Sequence, residues 1–162
     1  MTARGTTSFD VIIVGAGAAG LMCALTAGAR GRRVLLLDHA GEAGKKILIS
    51  GGGRCNFTNI NAAPENFLSG NPHFCKSALA RYTQHDFIGL IGRHRIAWHE
   101  KTLGQLFCDG SARAVVGMLL AECEVAGVDL RLSHRPTNIA RTERFEVATD
   151  RGDFTAPALV LA

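Results

Sequence analysis

Three glycines near the amino end are spaced for chemistry. Gly15, Gly17 and Gly20, with Ala16, Ala18 and Ala19 between them, give the pattern G-x-G-x-x-G. In a dinucleotide site the first glycine permits a tight turn. The second, lacking a side chain, lets a pyrophosphate approach the backbone, and the third lets a helix sit close to its strand. A helix starting there turns free N–H groups and a partial positive charge toward the phosphates. About 20 residues on, Asp38 stands where a carboxylate can take both hydroxyls of a ribose, with His39 beside it. A second group follows: Lys46, then Gly51-Gly52-Gly53, then Arg54, Cys55 and Asn56. Three consecutive glycines reach backbone conformations closed to other residues and suit a loop that wraps a flat or phosphorylated ligand through its N–H groups. Arg54 or Lys46 is the charged partner.

The elements that must hold these residues can be read from the flanks. Val11–Val14 is an unbroken β-branched and aliphatic run, as a strand buried on both faces requires. Leu21–Gly31 has no proline and has apolar residues on more than one face, so it reads as a largely buried helix. Arg33–Asp38, RVLLLD, is a second buried strand ending in an acid. Together they make a βαβ unit. Met1–Ser8 reads as a polar, frayed start. Asn71-Pro72 reads as a cap and first turn of a helix to about Tyr82, and Gln84–His94 as a second helix with Phe87, Leu90 and Ile91 on one face. Ala97–Lys101 is a short strand and Thr102–Gly104 a turn. After Ser111, Ala112, Val115, Val116, Leu119, Leu120 and Cys123 recur at helical spacing, and Gly127 ends that helix. Val128–Ser133 reads as a third parallel strand. Thr137–Arg141, Arg144–Thr149 and Asp153–Ala156 read as an antiparallel meander, and Leu159–Ala162 as a further buried parallel strand.

Composition sets the bounds. The 162 residues are 47% hydrophobic and 20% charged, which describes an ordinary globular chain with a real core. Glycines interrupt the apolar residues 9–29 too often for a membrane span or signal segment. The net charge is +4, yet the cations are scattered, and one Trp and one Tyr make a base-stacking platform for nucleic acid an unfavoured reading. Five cysteines, Cys23, Cys55, Cys75, Cys108 and Cys123, form no C-x-x-C pair, which points to reduced thiols and a cytoplasmic setting. Cys108, with no second cysteine near it in sequence, reads as a packed thiol. The six histidines show no metal spacing, and no metal is expected.

The order of elements resembles the FAD domain of glutathione-reductase-type flavoproteins: an α/β, Rossmann-like parallel sheet with helices and a small antiparallel β-meander. More narrowly, KKILISGGGRCNFTN at Lys45–Asn59 and GQLFCDGSARAVVGMLLAEC at Gly104–Cys123 resemble the BaiN/RdsA (YhiN-like) flavoproteins, a family of NAD(P)/FAD-dependent oxidoreductases. The resemblance covers essentially the whole chain. It implies FAD as cofactor, with NAD(P)H as electron donor. It implies that residues 15–20 hold the pyrophosphate, and Asp38 with His39 the adenosine ribose. Lys46, Gly52, Gly53, Arg54, Cys55 and Asn56 would line the path to the ribityl chain and flavin ring, and the residue opening the meander would meet the adenine. Asp38 stands where the family more often has Glu. Pro136 occupies the adenine position and has no N–H to give, which shifts that contact toward Thr137.

The expectation is therefore an oxidoreductase moving two electrons to a small molecule, with the flavin supplying the chemistry. The family continues past the strand at Leu159–Ala162 into a substrate domain and a late FAD motif. Residues 1–162 are thus expected to be the amino-terminal, incomplete FAD-binding part of a longer enzyme. Such a part would bind nucleotide without turnover and would self-associate through the surface left exposed. An RNA-linked flavoprotein is a third reading, motivated by the positive charge.

Overall fold

The computed structural model describes residues 6–162. The chain divides into two compact units, residues 1–46 with 119–162, and residues 47–118.

In chain order the elements are β1 (Thr7–Ser8), β2 (Val11–Val14), α1 (Ala18–Ala29), β3 (Val34–Leu37), α2 (Lys45–Ile49), β4 (Asn56–Asn59), α3 (Lys76–Arg81), α4 (Gln84–Arg93), β5 (Trp98–Glu100), β6 (Gln105–Cys108), α5 (Ala112–Val125), β7 (Asp129–Arg131), β8 (Pro136–Arg141), β9 (Phe145–Thr149), β10 (Gly152–Ala156) and β11 (Ala158–Leu161).

The first unit is built on a parallel sheet ordered β11-β2-β3-β7. The apolar runs VIIV and VLLL form its two central strands because each has both faces covered, and Ile12, Ile13, Leu35, Leu36 and Leu37 are fully buried. A second sheet, β1-β10-β9-β8, contains the meander. A core cluster of Phe9, Ile12, Leu35, Leu37, Val147, Phe154 and Ala156 joins the two. On the β2–β3 crossover, α1 buries Gly20, Leu21 and Ala24. The end of α5 is tied to it by the Cys123 thiol, which donates to the Leu21 carbonyl at 3.5 Å. Gly127, at φ +68°, then lets the N–H groups of Gly127 and Val128 close back on the carbonyls of Glu124 and Cys123.

The second unit holds a three-stranded antiparallel sheet, β4-β6-β5. Phe57 meets Phe87 and Trp98 at ring separations of 6.1 and 6.2 Å. Buried Leu90 and Ile91 seat α4, whose start is closed by Thr83: its hydroxyl accepts from the Asp86 N–H at 3.3 Å while the Asp86 carboxylate accepts from the Thr83 N–H at 2.7 Å.

Four expectations are corrected or refined here. The helix read from Asn71 begins only at Lys76. The Asn71 side chain accepts from the His73 N–H at 3.0 Å, and residues 71–76 close four-residue turns instead. Thr7 and Ser8 are not frayed; they pair with Phe154 and Thr155 of β10, while residues 1–5 lie outside the described part. The loop expected at the three glycines is a tight turn set between a short helix and a strand. Finally, β11 is parallel to β2 as expected, but it occupies the sheet edge and is only partly covered, with Leu161 69% exposed.

Candidate functional site

The turn between β2 and α1 is fixed by the chain around it. The Gly15 N–H donates to the Leu37 carbonyl at 2.7 Å, and the Gly44 N–H donates to the Ala16 carbonyl at 2.8 Å. The Ala16 N–H is taken by Asp38 Oδ2, also at 2.7 Å. Ala16 itself is buried, so the turn is clamped from three sides before any ligand arrives.

The glycines within it have different causes. A Cβ on Gly20 would stand 1.7 Å from the Gly15 carbonyl oxygen, and one on Gly15, at φ +111°, would stand 2.2 Å from the Ala162 carbonyl oxygen. Helix, turn and edge strand meet too closely there for any side chain. Gly17 is the exception. Its backbone, φ −82° and ψ −169°, is open to any residue, and a Cβ there meets nothing within 4 Å. The fold does not need a glycine at that position. Gly17 is also the N-cap of α1, no side chain caps the helix, and the first turn carries no acid. Helix geometry leaves the first N–H groups without intrahelical acceptors. A bare helix start with free space in front of it can receive an anion.

Asp38, at the end of β3, has a side chain 14% exposed. Besides Ala16 it holds the Ala40 N–H, on Oδ1 at 2.8 Å, and the exposed His39 ring lies 3.3 Å from the same oxygen. A carboxylate has about four acceptor sites, so two backbone donors leave room for ribose hydroxyls. The Asp38 carbonyl accepts from the His134 N–H at 2.9 Å, which ties the strand carrying the acid to the segment leading to Pro136. Pro136 opens β8 as expected. The register of β8 against β9 shifts between Pro136 and Asn138, and the Thr137 hydroxyl donates to the Ala148 carbonyl at 3.2 Å. Thus the structure brings residues 15–20, Asp38 and His39 together within the first unit. Lys46 is exposed on α2.

In the second unit the Gly51–Gly53 turn runs at φ of +56°, +66° and +84°. Gly51 also abuts the Phe107 ring, which a Cβ would meet at 2.7 Å. Gly52 and Arg54 are exposed; the Arg54 carbonyl accepts from the Cys108 N–H at 3.0 Å. The Asn56 amide lies 3.0 and 3.2 Å from the carbonyls of Thr58 and Leu106 and donates to both when its NH2 faces them, which commits it to the sheet. Cys55 is buried at φ +53°, and burial pushes its thiol up, opposed by a hydrogen bond from Ser50. Cys108 is pushed up to about 11, first by burial and then by Cys55 and Asp109. The sequence had suggested no second cysteine near Cys108; pairing of β4 with β6 brings Cys55 there. Both are protonated, sheltered thiols, not activated nucleophiles.

Sequence reasoning missed Ala40 and Gly44, whose backbones clamp Asp38 and Ala16. The only local sign was Gly44 itself, at φ +70°.

The HI0933-like protein Rossmann domain matches residues 9–162. The chain belongs to that family. A ribosomal RNA dihydrouridine synthase of Escherichia coli is 59% identical over 147 residues, covering 91% of this chain and 35% of that protein. The Haemophilus influenzae protein of the same name is 50% identical over 135 residues, covering 83% of this chain and 34% of its own length. The chain therefore spans about a third of the length of the curated relatives it matches. Among solved structures, the Diels-Alderase PyrE3 superposes with a TM-score of 0.63 at 20% identity, over 97% of this chain and 32% of that one, a likeness of fold. Together these show the Rossmann-type α/β fold expected from the glycine pattern. No helix among the described residues is long and apolar enough to cross a membrane.

Proposed function

We propose that the chain binds FAD at the turn between β2 and α1 and serves a reductase acting on a uridine of ribosomal RNA. The observation that carries the cofactor is Gly17: a glycine that neither packing nor backbone conformation demands, facing open space at an uncapped helix start. The residues present fit such a ligand. Residues 15–20 would hold its pyrophosphate, and Asp38 with His39 its ribose. The start of β8, at Pro136 and Thr137, would flank the adenine. Lys46, Gly52, Gly53, Arg54, Cys55 and Asn56 are the residues proposed along the remainder. Bound FAD would supply two-electron transfer, with NAD(P)H proposed as donor. This chain's part is to bind and orient; no side chain in it is assigned as general acid or base.

The acceptor rests on the two relatives at 59% and 50% identity, both named for ribosomal RNA dihydrouridine synthesis. We favour that acceptor over the small molecule suggested by the sequence. The protein is proposed to work in the cytoplasm, where its five free cysteines stay reduced. A second reading is that this chain by itself binds the nucleotide without turnover, since no side chain in it is assigned as general acid or base.

The test is direct. The purified chain is mixed with FAD, desalted, and examined for retained yellow colour. NAD(P)H consumption is then followed with and without a ribosomal RNA transcript. Retained flavin with RNA-stimulated consumption supports the full proposal. Retained flavin without consumption supports the second reading. A folded chain that retains no flavin overturns both.

A further inference from the structure

The strongest surface feature outside the glycine turn lies wholly in the second unit. Residues 64–75 form a loop whose ends meet: the Cys75 thiol reaches the Pro64 carbonyl at 3.8 Å. Within it the Ser69 hydroxyl donates to the Asn71 carbonyl at 2.7 Å and the Phe74 N–H to the same carbonyl at 3.1 Å. The next segment is anchored by Gln84, whose side chain donates to the Ile60 carbonyl at 3.0 Å. This is a compact surface loop and not a loose strand of chain.

Its side chains face the wrong way for a core. Leu68 is 95% exposed, Phe74 80%, Phe67 49% and Tyr82 42%. Lys76 and Arg81 on α3 are exposed among them. Between Glu65 and Asp86 there is no acidic residue at all. Exposed rings on the loop, followed by the two cations of α3 and with no carboxylate from residue 66 to 85, suit a single-stranded nucleic acid: bases stack on the rings and phosphates meet the cations. An apolar protein partner would explain the rings but not the two cations of α3 beside an acid-free run from residue 66 to 85.

We propose that residues 66–75 together with α3 form a binding surface for single-stranded RNA. This rests on the RNA acceptor argued above and goes beyond it by naming the surface. The sequence had counted against a stacking platform because Trp and Tyr are scarce; phenylalanines fill that role here.

The test measures anisotropy of a labelled, mixed-sequence single-stranded RNA oligonucleotide titrated with the chain. Parallel titrations use Phe67→Ala/Phe74→Ala, Lys76→Gln/Arg81→Gln, and Val125→Ala, an exposed apolar position outside the surface. Circular dichroism checks that each variant folds. The aromatic pair is expected to weaken binding by roughly tenfold or more. The cation pair should lower the slope of log K against log salt by about 0.7 per charge removed. Val125→Ala should change nothing. If the parent binds RNA and both surface variants match it, the surface is wrong while the RNA acceptor stands. If the parent retains flavin but binds no RNA at low salt, the surface and the RNA acceptor both fall and the flavin site survives. If the aromatic variant instead breaks a dimer with RNA binding unchanged, the face joins copies of the chain and the proposal is overturned.

Discussion

Replacing Gly17 and Gly20 separately should pull ligand binding and folding apart. At Gly17 a Cβ enters open space and the backbone already lies where alanine is comfortable. The structural cost of Gly17→Ala is then the poorer N-cap alone, under about 1 kcal/mol, or a few degrees at most in melting temperature. Gly17→Leu starts its side chain in the same space, and its folding is checked by the same unfolding curve. The ligand would lose its close approach to the N–H groups of the turn. A hydrogen bond to a charged group contributes about 1.5–3 kcal/mol. Losing one or two should therefore weaken FAD by at least tenfold, at about 1.4 kcal/mol per tenfold. Gly20→Ala should behave oppositely. Its Cβ would stand 1.7 Å from the Gly15 carbonyl oxygen, a backbone atom held by the turn, so helix and strand must part. Overpacking of this kind costs about 1–3 kcal/mol or more. The assay is thermal unfolding by circular dichroism beside FAD titration followed by flavin fluorescence. Unchanged FAD affinity in Gly17→Leu would refute the reasoning, as would a Gly17→Ala protein as unstable as Gly20→Ala.

Other outcomes follow from the same contacts. Asp38→Asn keeps the shape but leaves one acceptor oxygen for two backbone donors, Ala16 and Ala40; stability should fall by about 1–3 kcal/mol in urea unfolding, with weaker FAD binding. Cys108 and Cys123, both pushed up to about 11 chiefly by burial, should resist a thiol reagent at neutral pH until the chain is unfolded. Because the unfolded thiols ionise first, near their ordinary value of 9.0, their contribution to stability should be complete below pH 9 and lost as pH rises toward 11. Leu161, exposed on the edge strand β11, should promote self-association; light scattering should show Leu161→Lys with a smaller mass than the parent at equal concentration.

The sequence was most legible where local pattern and burial agree. Val11–Val14 and Val34–Leu37 are uninterrupted apolar runs because both faces of their strands are covered, and that signal survives without the fold. The stripe through Ala112, Val115, Val116 and Leu119 was equally clear, and all four are buried. The meander announced itself through Asp150-Arg151-Gly152, a turn between two short extended runs. What failed was nonlocal or marginal. Strands β4 and β6 are four residues long and show no alternation, so nothing nearby in sequence reveals their pairing or the meeting of Cys55 with Cys108. At Asn71-Pro72 a genuine helix-start signal was spent on turns, because the Asn71 side chain satisfied the backbone locally. At the β2–α1 junction the glycine spacing marked the tight turn, whereas the clamping of Asp38 by the Ala16 and Ala40 amides had no such mark. Backbone partners leave no mark on side-chain identity.

The proposed FAD site places a diphosphate on the amides at the start of α1. Amide-resolved NMR of the labelled chain during FAD titration tests it most directly. The largest saturable shifts are expected at Gly15–Gly20 and at Asp38–Ala40. FAD binding with those amides unmoved, or no binding by a folded chain, would contradict it.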